Sequence, residues 1–182
     1  MALKNSRLLI RSLTICAVIM IGGCEFPFSR PHPGKVIDSW ETGNGTFRIR
    51  VIEREEEGGA LRAALYFFQS TAVGAEEWSQ FLMVRDKDMP SIPREQISFV
   101  TSEVAYVFMR ASYCITTDAG KTWSLWEGEK HLPDWHLREY GVIRGVALNK
   151  DGNGTMTLGP AYEPTAQAKL NTSDYGRNWN LH

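Results

Sequence analysis

The sequence carries no excess of either charge. Lys and Arg number 20 against 21 Asp and Glu, a formal net charge of −1, so there is no global basic field to hold nucleic acid. Cysteine is scarce. Three in 182 residues are too few for a disulfide framework. A membrane-spanning helix takes ~20 apolar residues, and the N-terminal apolar run, Leu13 to Ile21, has nine. There is no Gly-rich phosphate loop and no Gly-x-Ser-x-Gly elbow, and no cofactor is signalled. Beyond the N-terminus no segment repeats apolar residues at helical spacing. What is present is a globular composition, 43% hydrophobic and 11% aromatic, which excludes a disordered, collagen-like or polytopic membrane chain.

The N-terminus reads as a targeting segment. Lys4, Arg7 and Arg11 precede the short apolar run, which ends in Ile21-Gly22-Gly23-Cys24. A basic stretch followed by a short apolar one suits a signal peptide. The four closing residues resemble a bacterial lipobox. That resemblance implies diacylglycerol on the Cys24 thiol, cleavage before Cys24 and acylation of the new amine. More than one acyl chain gives stable anchoring. Removing residues 1–23 leaves 159 residues and takes away three bases and no acid, which moves the formal charge from −1 to −4. Glu25 stands where an Asp would resemble an inner-membrane retention signal, so the outer membrane is favoured, with the protein facing the periplasm. Residues 24–35 hold Pro27, Pro31, Pro33 and Gly34 and read as the lipidated cysteine and an extended tether.

Residues 36–182 read as a single all-β domain. Phe47, Ile49 and Val51 alternate with Arg48 and Arg50, the period of a half-buried strand. Further strands are expected at Leu61 to Phe68, Phe81 to Val84, Ile97 to Val100 and Val104 to Met109. Others follow at Tyr113 to Ile115, Trp123 to Trp126, Val142 to Leu148, Thr155 to Leu158, Lys169 to Thr172 and Trp179 to Leu181. Glu76 to Gln80 allows one helical turn at most. Cys114 lies in an apolar stretch and reads as a small core residue.

One motif repeats. Thr116-Thr117-Asp118-Ala119-Gly120-Lys121-Thr122-Trp123 aligns with Thr172-Ser173-Asp174-Tyr175-Gly176-Arg177-Asn178-Trp179. Thr, Asp, Gly and Trp recur at identical offsets. An Asp carboxylate can accept bonds from turn amides. Gly supplies a positive φ, and Trp packs over the corner. Both segments resemble the Asp-box of bacterial neuraminidases, whose role is structural. Asn178 departs from the Thr of that pattern, which is expected to weaken one turn contact. Asp-boxes imply propeller-like blades. A blade takes ~40–45 residues, and 147 residues from Val36 onward allow about three, whereas closed propellers usually need four or more. The expected fold is therefore a set of blade-like antiparallel sheets that does not close, with a two-sheet sandwich as the alternative.

No catalytic constellation emerges. His131, Asp134 and His136 lie within six residues, but Pro133 makes that segment a loop, and no fourth ligand completes a metal site. Binding is the remaining reading, with Trp126, Trp135, His136, Tyr140 and the Glu53 to Glu57 segment as candidate contacts on a rigid β scaffold. The lipobox, the short all-β body and the terminal Thr-Ser-Asp-x-Gly-x-x-Trp hairpin together resemble the small lipoproteins that act as immunity proteins beside type VI secretion lipase effectors. That resemblance implies a non-enzymatic protein that binds and blocks a phospholipase effector. An envelope glycan-binding or complex-assembly lipoprotein is the alternative. Cys24→Ala should abolish incorporation of labelled palmitate and leave the precursor uncut; continued labelling of that variant would contradict the lipobox reading.

Overall fold

The computed structural model describes residues 34–55, 64–86, 94–132, 141–160 and 168–181. The targeting segment, Trp135, His136, Tyr140 and the tip of the Glu53 to Glu57 segment lie outside the described residues. Three four-stranded sheets are formed, each an antiparallel meander. The first holds β1 (Lys35–Glu41), β2 (Phe47–Glu55), β3 (Ala64–Ala72) and β4 (Ser79–Asp86). The middle sheet holds β5 (Ile97–Phe99), β6 (Ala105–Met109), β7 (Ser112–Thr116) and β8 (Ser124–Glu127). The third holds β9 (Val142–Leu148), β10 (Gly154–Gly159), β11 (Ala168–Thr172) and β12 (Asn180–Leu181). A 3₁₀ turn at Arg94–Gln96 and the single-turn α1 (Gly128–His131) are the helical elements of the described residues. None is long and apolar enough to cross a membrane.

The sheets pack as a stack of three, open at both ends, and the two-sheet sandwich is excluded. Phe47, Ile49 and Val51 of β2 lie with Tyr66 and Phe68 of β3 against Ala105, Val107, Met109 and Cys114 of the middle sheet. The other face of the middle sheet carries Tyr106, Phe108, Tyr113, Ile115 and Trp126, which meet Ile143, Met156, Leu158 and Leu170 of the third sheet. Alternation along β6 therefore feeds two cores, and all five of its residues are buried. A strand covered on both faces loses the polar alternation that a half-buried strand shows.

Both ends of the stack are closed off by chemistry rather than by another sheet. On the outer face of the third sheet, Lys169 is exposed and Asn171 half-buried, between the buried Leu170 and Thr172. On the outer face of the first sheet, Arg48, Arg50 and Arg54 alternate with the buried Phe47, Ile49 and Val51. Polar end faces are how stacked repeats terminate without further association.

Most of the sequence-based strands fall where alternation placed them. Two differ. The strand read at Leu61 to Phe68 runs as Ala64–Ala72, because the polar Gln69, Ser70 and Thr71 continue the ladder with β2. β1 was not resolved by alternation, since a bulge between Val36 and Asp38 breaks its period. Glu76 to Gln80 forms no helical turn.

Gly120 couples the turn after β7 to the first sheet. Its φ is +78°, and a Cβ there would lie 2.8 Å from Phe47 Cδ2 and 3.3 Å from Ser70 Cβ. Gly43 meets nothing within 4 Å and lacks a positive φ. Gly120→Ala should therefore lower stability in denaturant titrations by about 2 kcal/mol or more, from strain and overpacking together. Gly43→Ala should stay within ~0.5 kcal/mol of the parent protein.

Candidate functional site

The two repeated loops follow β7 and β11, and they fold alike atom by atom. In the first, Thr116 Oγ1 donates to Asp118 Oδ1 at 2.8 Å and accepts the Gly120 amide at 2.9 Å. Asp118 then accepts the Thr122 amide at 2.9 Å and the Thr122 hydroxyl at 2.6 Å. In the second, Thr172 Oγ1 donates to Asp174 Oδ1 at 2.7 Å and accepts the Gly176 amide at 2.9 Å. Asp174 accepts the Asn178 amide at 3.0 Å and its Nδ2 at 2.6 Å. The expected weakening at Asn178 does not occur, because the side-chain amide reaches the same carboxylate oxygen that a threonine hydroxyl would. Both loops place two successive residues in the left-handed region, Ala119 with Gly120 and Tyr175 with Gly176. The closed hydrogen-bond ring holds the non-glycine member there.

The carboxylates are committed to these rings. Partial burial pushes Asp118 up, but the Thr122 hydroxyl and amide, the Thr116 hydroxyl and the Lys121 amide bring it below the usual carboxylate range. Asp174 is lowered in the same way, burial opposing, by the Asn178 amide and side chain, Thr172 and the Arg177 amide. Hydrogen bonds to the charged form favour that form.

Each tryptophan reaches back to the sheet before it in the chain. Trp123 stacks on Phe81 at 3.8 Å between centroids and donates from Nε1 to Ser70 Oγ at 3.0 Å. Ser70 Oγ donates in turn to the Gly120 carbonyl at 2.8 Å. Trp179 meets Tyr113 edge to face at 5.4 Å, and Tyr113 Oη donates to the Tyr175 carbonyl at 2.9 Å. Arg177 also donates to Thr117 Oγ1 at 2.7 Å, joining the two loops.

The first sheet holds a third, altered copy that the sequence comparison missed. Thr71 precedes Trp78 by seven residues, the spacing of Thr116 to Trp123 and Thr172 to Trp179. Val73 occupies the Asp position, and glycine comes one residue early, at Gly74 with φ +85°. Thr71 Oγ1 instead donates to the Glu77 carbonyl at 2.5 Å. Among the described residues no sheet precedes this one, and Trp78 lies on the outer face, with the Arg50 guanidinium 4.0 Å and that of Arg48 5.4 Å from its ring centroid. The Thr-to-Trp spacing alone carried the signal; without the Asp it did not stand out.

The other sequence candidates separate. Trp126 is core, 4% exposed, with His131 stacked on it at 5.7 Å; it presents no ring to a partner. Cys114 is fully buried, and burial, with a smaller contribution from Glu127, pushes its thiol up to about 12, which removes the thiolate that nucleophilic chemistry needs. Among the described residues no three His, Cys, Asp or Glu side chains cluster to hold a metal. Clefts are also present among the described residues. One of about 450 Å³ beside the first loop is lined by Asn44, Glu103, Asp118 and Lys121 among others. One of about 510 Å³ on the third sheet is lined by uncharged residues such as Asn149, Thr155 and Asn171. One of about 280 Å³ on the first sheet includes Trp40, Glu41, Arg48, Arg50 and Trp78. No family model, curated protein or solved structure matches the chain.

The loop carboxylates give a pH test. A folded-state pKa below the ordinary Asp value, about 3.9, contributes stability that is full above that value and is lost as pH falls through the lower folded one. Acid unfolding should therefore steepen below about pH 4, and Asp118→Asn with Asp174→Asn should flatten that limb. Asp118→Ala should cost about 1–3 kcal/mol at neutral pH, since it leaves turn amides unpaired. An unchanged acid limb in the double variant would show that these rings do not hold the fold.

Proposed function

We propose that the protein is a lipid-anchored, periplasm-facing binding protein that neutralises a secreted phospholipase-type effector by direct contact. The observation that carries this reading is the internal commitment of the loop carboxylates. The most distinctive polar groups of the chain bond to their own turns, so the loops serve as rigid corners. Rigid β elements with short, fixed loops suit recognition, since little conformational entropy is lost on docking. The lipobox-like Ile21-Gly22-Gly23-Cys24 would hold such an inhibitor in the compartment where an envelope-attacking enzyme acts. The formal charge of −4 expected after removal of residues 1–23 would favour encounter with a basic enzyme surface, mainly through on-rate.

A second reading, an envelope glycan-binding lipoprotein, has the first-sheet cleft in its favour, whose lining includes Trp40 and Trp78. The two readings separate in one experiment. The purified protein is titrated by calorimetry into a secreted phospholipase from the same genome, and lipase activity is followed in parallel. Inhibition saturating at one to one is expected, with an interface of standard size, roughly 1,200–2,000 Å². Absence of binding at micromolar concentration, or inactivation by sub-stoichiometric amounts, would overturn the inhibitor reading.

A further inference from the structure

The outer face of the first sheet combines positive charge with exposed apolar groups. Val36 is 50% exposed and Met83 54%. Val36 lines the same cleft as Arg48, Arg50 and Trp78, together with one carboxylate, Glu41, opposite Arg48. Met83 pairs with Phe67, which pairs with Ile52 on the other side. The Arg54 guanidinium lies 4.8 Å from the Phe67 ring centroid. Among the described residues no carboxylate forms an ion pair with Arg48, Arg50 or Arg54. Arg50 Nε donates to Gln69 Oε1 at 2.9 Å, whereas Arg48 Nε and Arg54 Nε are buried without a partner. Two guanidinium groups over one tryptophan repel each other unless an anion joins them. The rest of the chain makes this face unusual, because the whole carries a formal charge of −1.

The chain also enters on this face. Gly34 passes so close over β2 that a Cβ would lie 2.2 Å from Ile52 Cγ2 and 2.6 Å from Arg54 Cγ. Ile52 and Arg54 belong to the outward set of β2. Cys24 lies ten residues before Gly34, and ten residues reach at most about 36 Å. A lipid on Cys24 would thus hold Gly34 within that distance of the bilayer.

We propose that the outer face of the first sheet docks on an anionic lipid surface. Arg48, Arg50 and Arg54 meet lipid phosphates, and Val36, Met83 and Trp78 enter the headgroup region. Guanidinium groups bind phosphate in two-pronged fashion, and tryptophan favours the water–hydrocarbon boundary. An acyl anchor joined to a basic patch is a familiar two-part membrane attachment. The anchored reading supplies proximity; the contact itself depends on these side chains. With the first sheet on the bilayer, the third sheet faces away from it.

The test uses the full chain reconstituted into phosphatidylcholine vesicles, with or without phosphatidylglycerol, containing brominated lipids that quench tryptophan at the interface. The N-terminal apolar segment or its lipid keeps the protein on both kinds of vesicle. Phosphatidylglycerol should add a quenched component at low salt that raised salt removes and that is missing in Trp78→Phe. An arginine near an anionic surface is worth about fivefold in partitioning, so Arg48→Gln with Arg50→Gln should lower the docked-to-undocked ratio about 30-fold. Equal quenching in both kinds of vesicle, or a double variant indistinguishable from the parent, would overturn the proposal. Poly-L-glutamate binding through Arg48 and Arg50, with no effect of phosphatidylglycerol, would overturn it in favour of an acidic protein partner. Failure of the anchor would show separately, as missing palmitate on a chain that still docks.

Discussion

The middle sheet has no free face, and the rest of the structure depends on that. Val107 points to one core and Tyr106 and Phe108 to the other. Among the described residues each outer sheet has its hydrophobic partner in the middle one. Burial of a large apolar side chain is worth about 1.5–3 kcal/mol, and β6 and β7 contribute such residues in both directions. Loss of packing in these two strands would release both outer sheets. Few of the hydrogen bonds between sheets are backbone to backbone, as from the Ile143 amide to the Arg110 carbonyl at 2.6 Å. Side-chain pins such as Tyr106 Oη to the Val146 carbonyl, at 2.8 Å, supply the remaining alignment.

The repeated loops solve a problem that the stack creates. Apolar contact between sheets is non-directional and tolerates sliding. A tryptophan fixed by a closed carboxylate ring, and reaching back onto the sheet before it, sets the offset between neighbours. Trp123 does so with a hydrogen bond to Ser70. Trp179 does so by ring packing, and its Nε1 stays buried without a partner. Trp78 meets no earlier sheet among the described residues, and there the chain places arginines. The same structural unit thus fastens sheets in two positions and forms an end face in the third. The proposed lipid contact grows from that end effect.

Much of this was legible in the sequence, and the gaps have physical causes. Alternation marked β2, where one face is arginine and the other aromatic or aliphatic. The matched Thr-x-Asp-x-Gly segments marked both hairpin corners and the bonds from turn amides to Asp, though not the intact contact at Asn178. The estimate of three blade-like sheets followed from length. The apolar run Val104 to Met109 marked a strand, but not that both its faces are covered or by which sheets, because periodicity carries no information about partners. Trp126 points inward, but in the sequence a tryptophan beside a charged segment reads the same whether it points in or out. Thr71 and Trp78 went unnoticed because the Asp that makes the motif visible is absent there.

Native-state hydrogen exchange tests the central role of the middle sheet most directly. The account predicts that the amides of β6 and β7 exchange only through global unfolding, with the full dependence on denaturant, while those of β1 and β12 exchange through smaller openings. Exchange of β6 and β7 at the rate of the edge strands, or protection highest in an outer sheet, would contradict it.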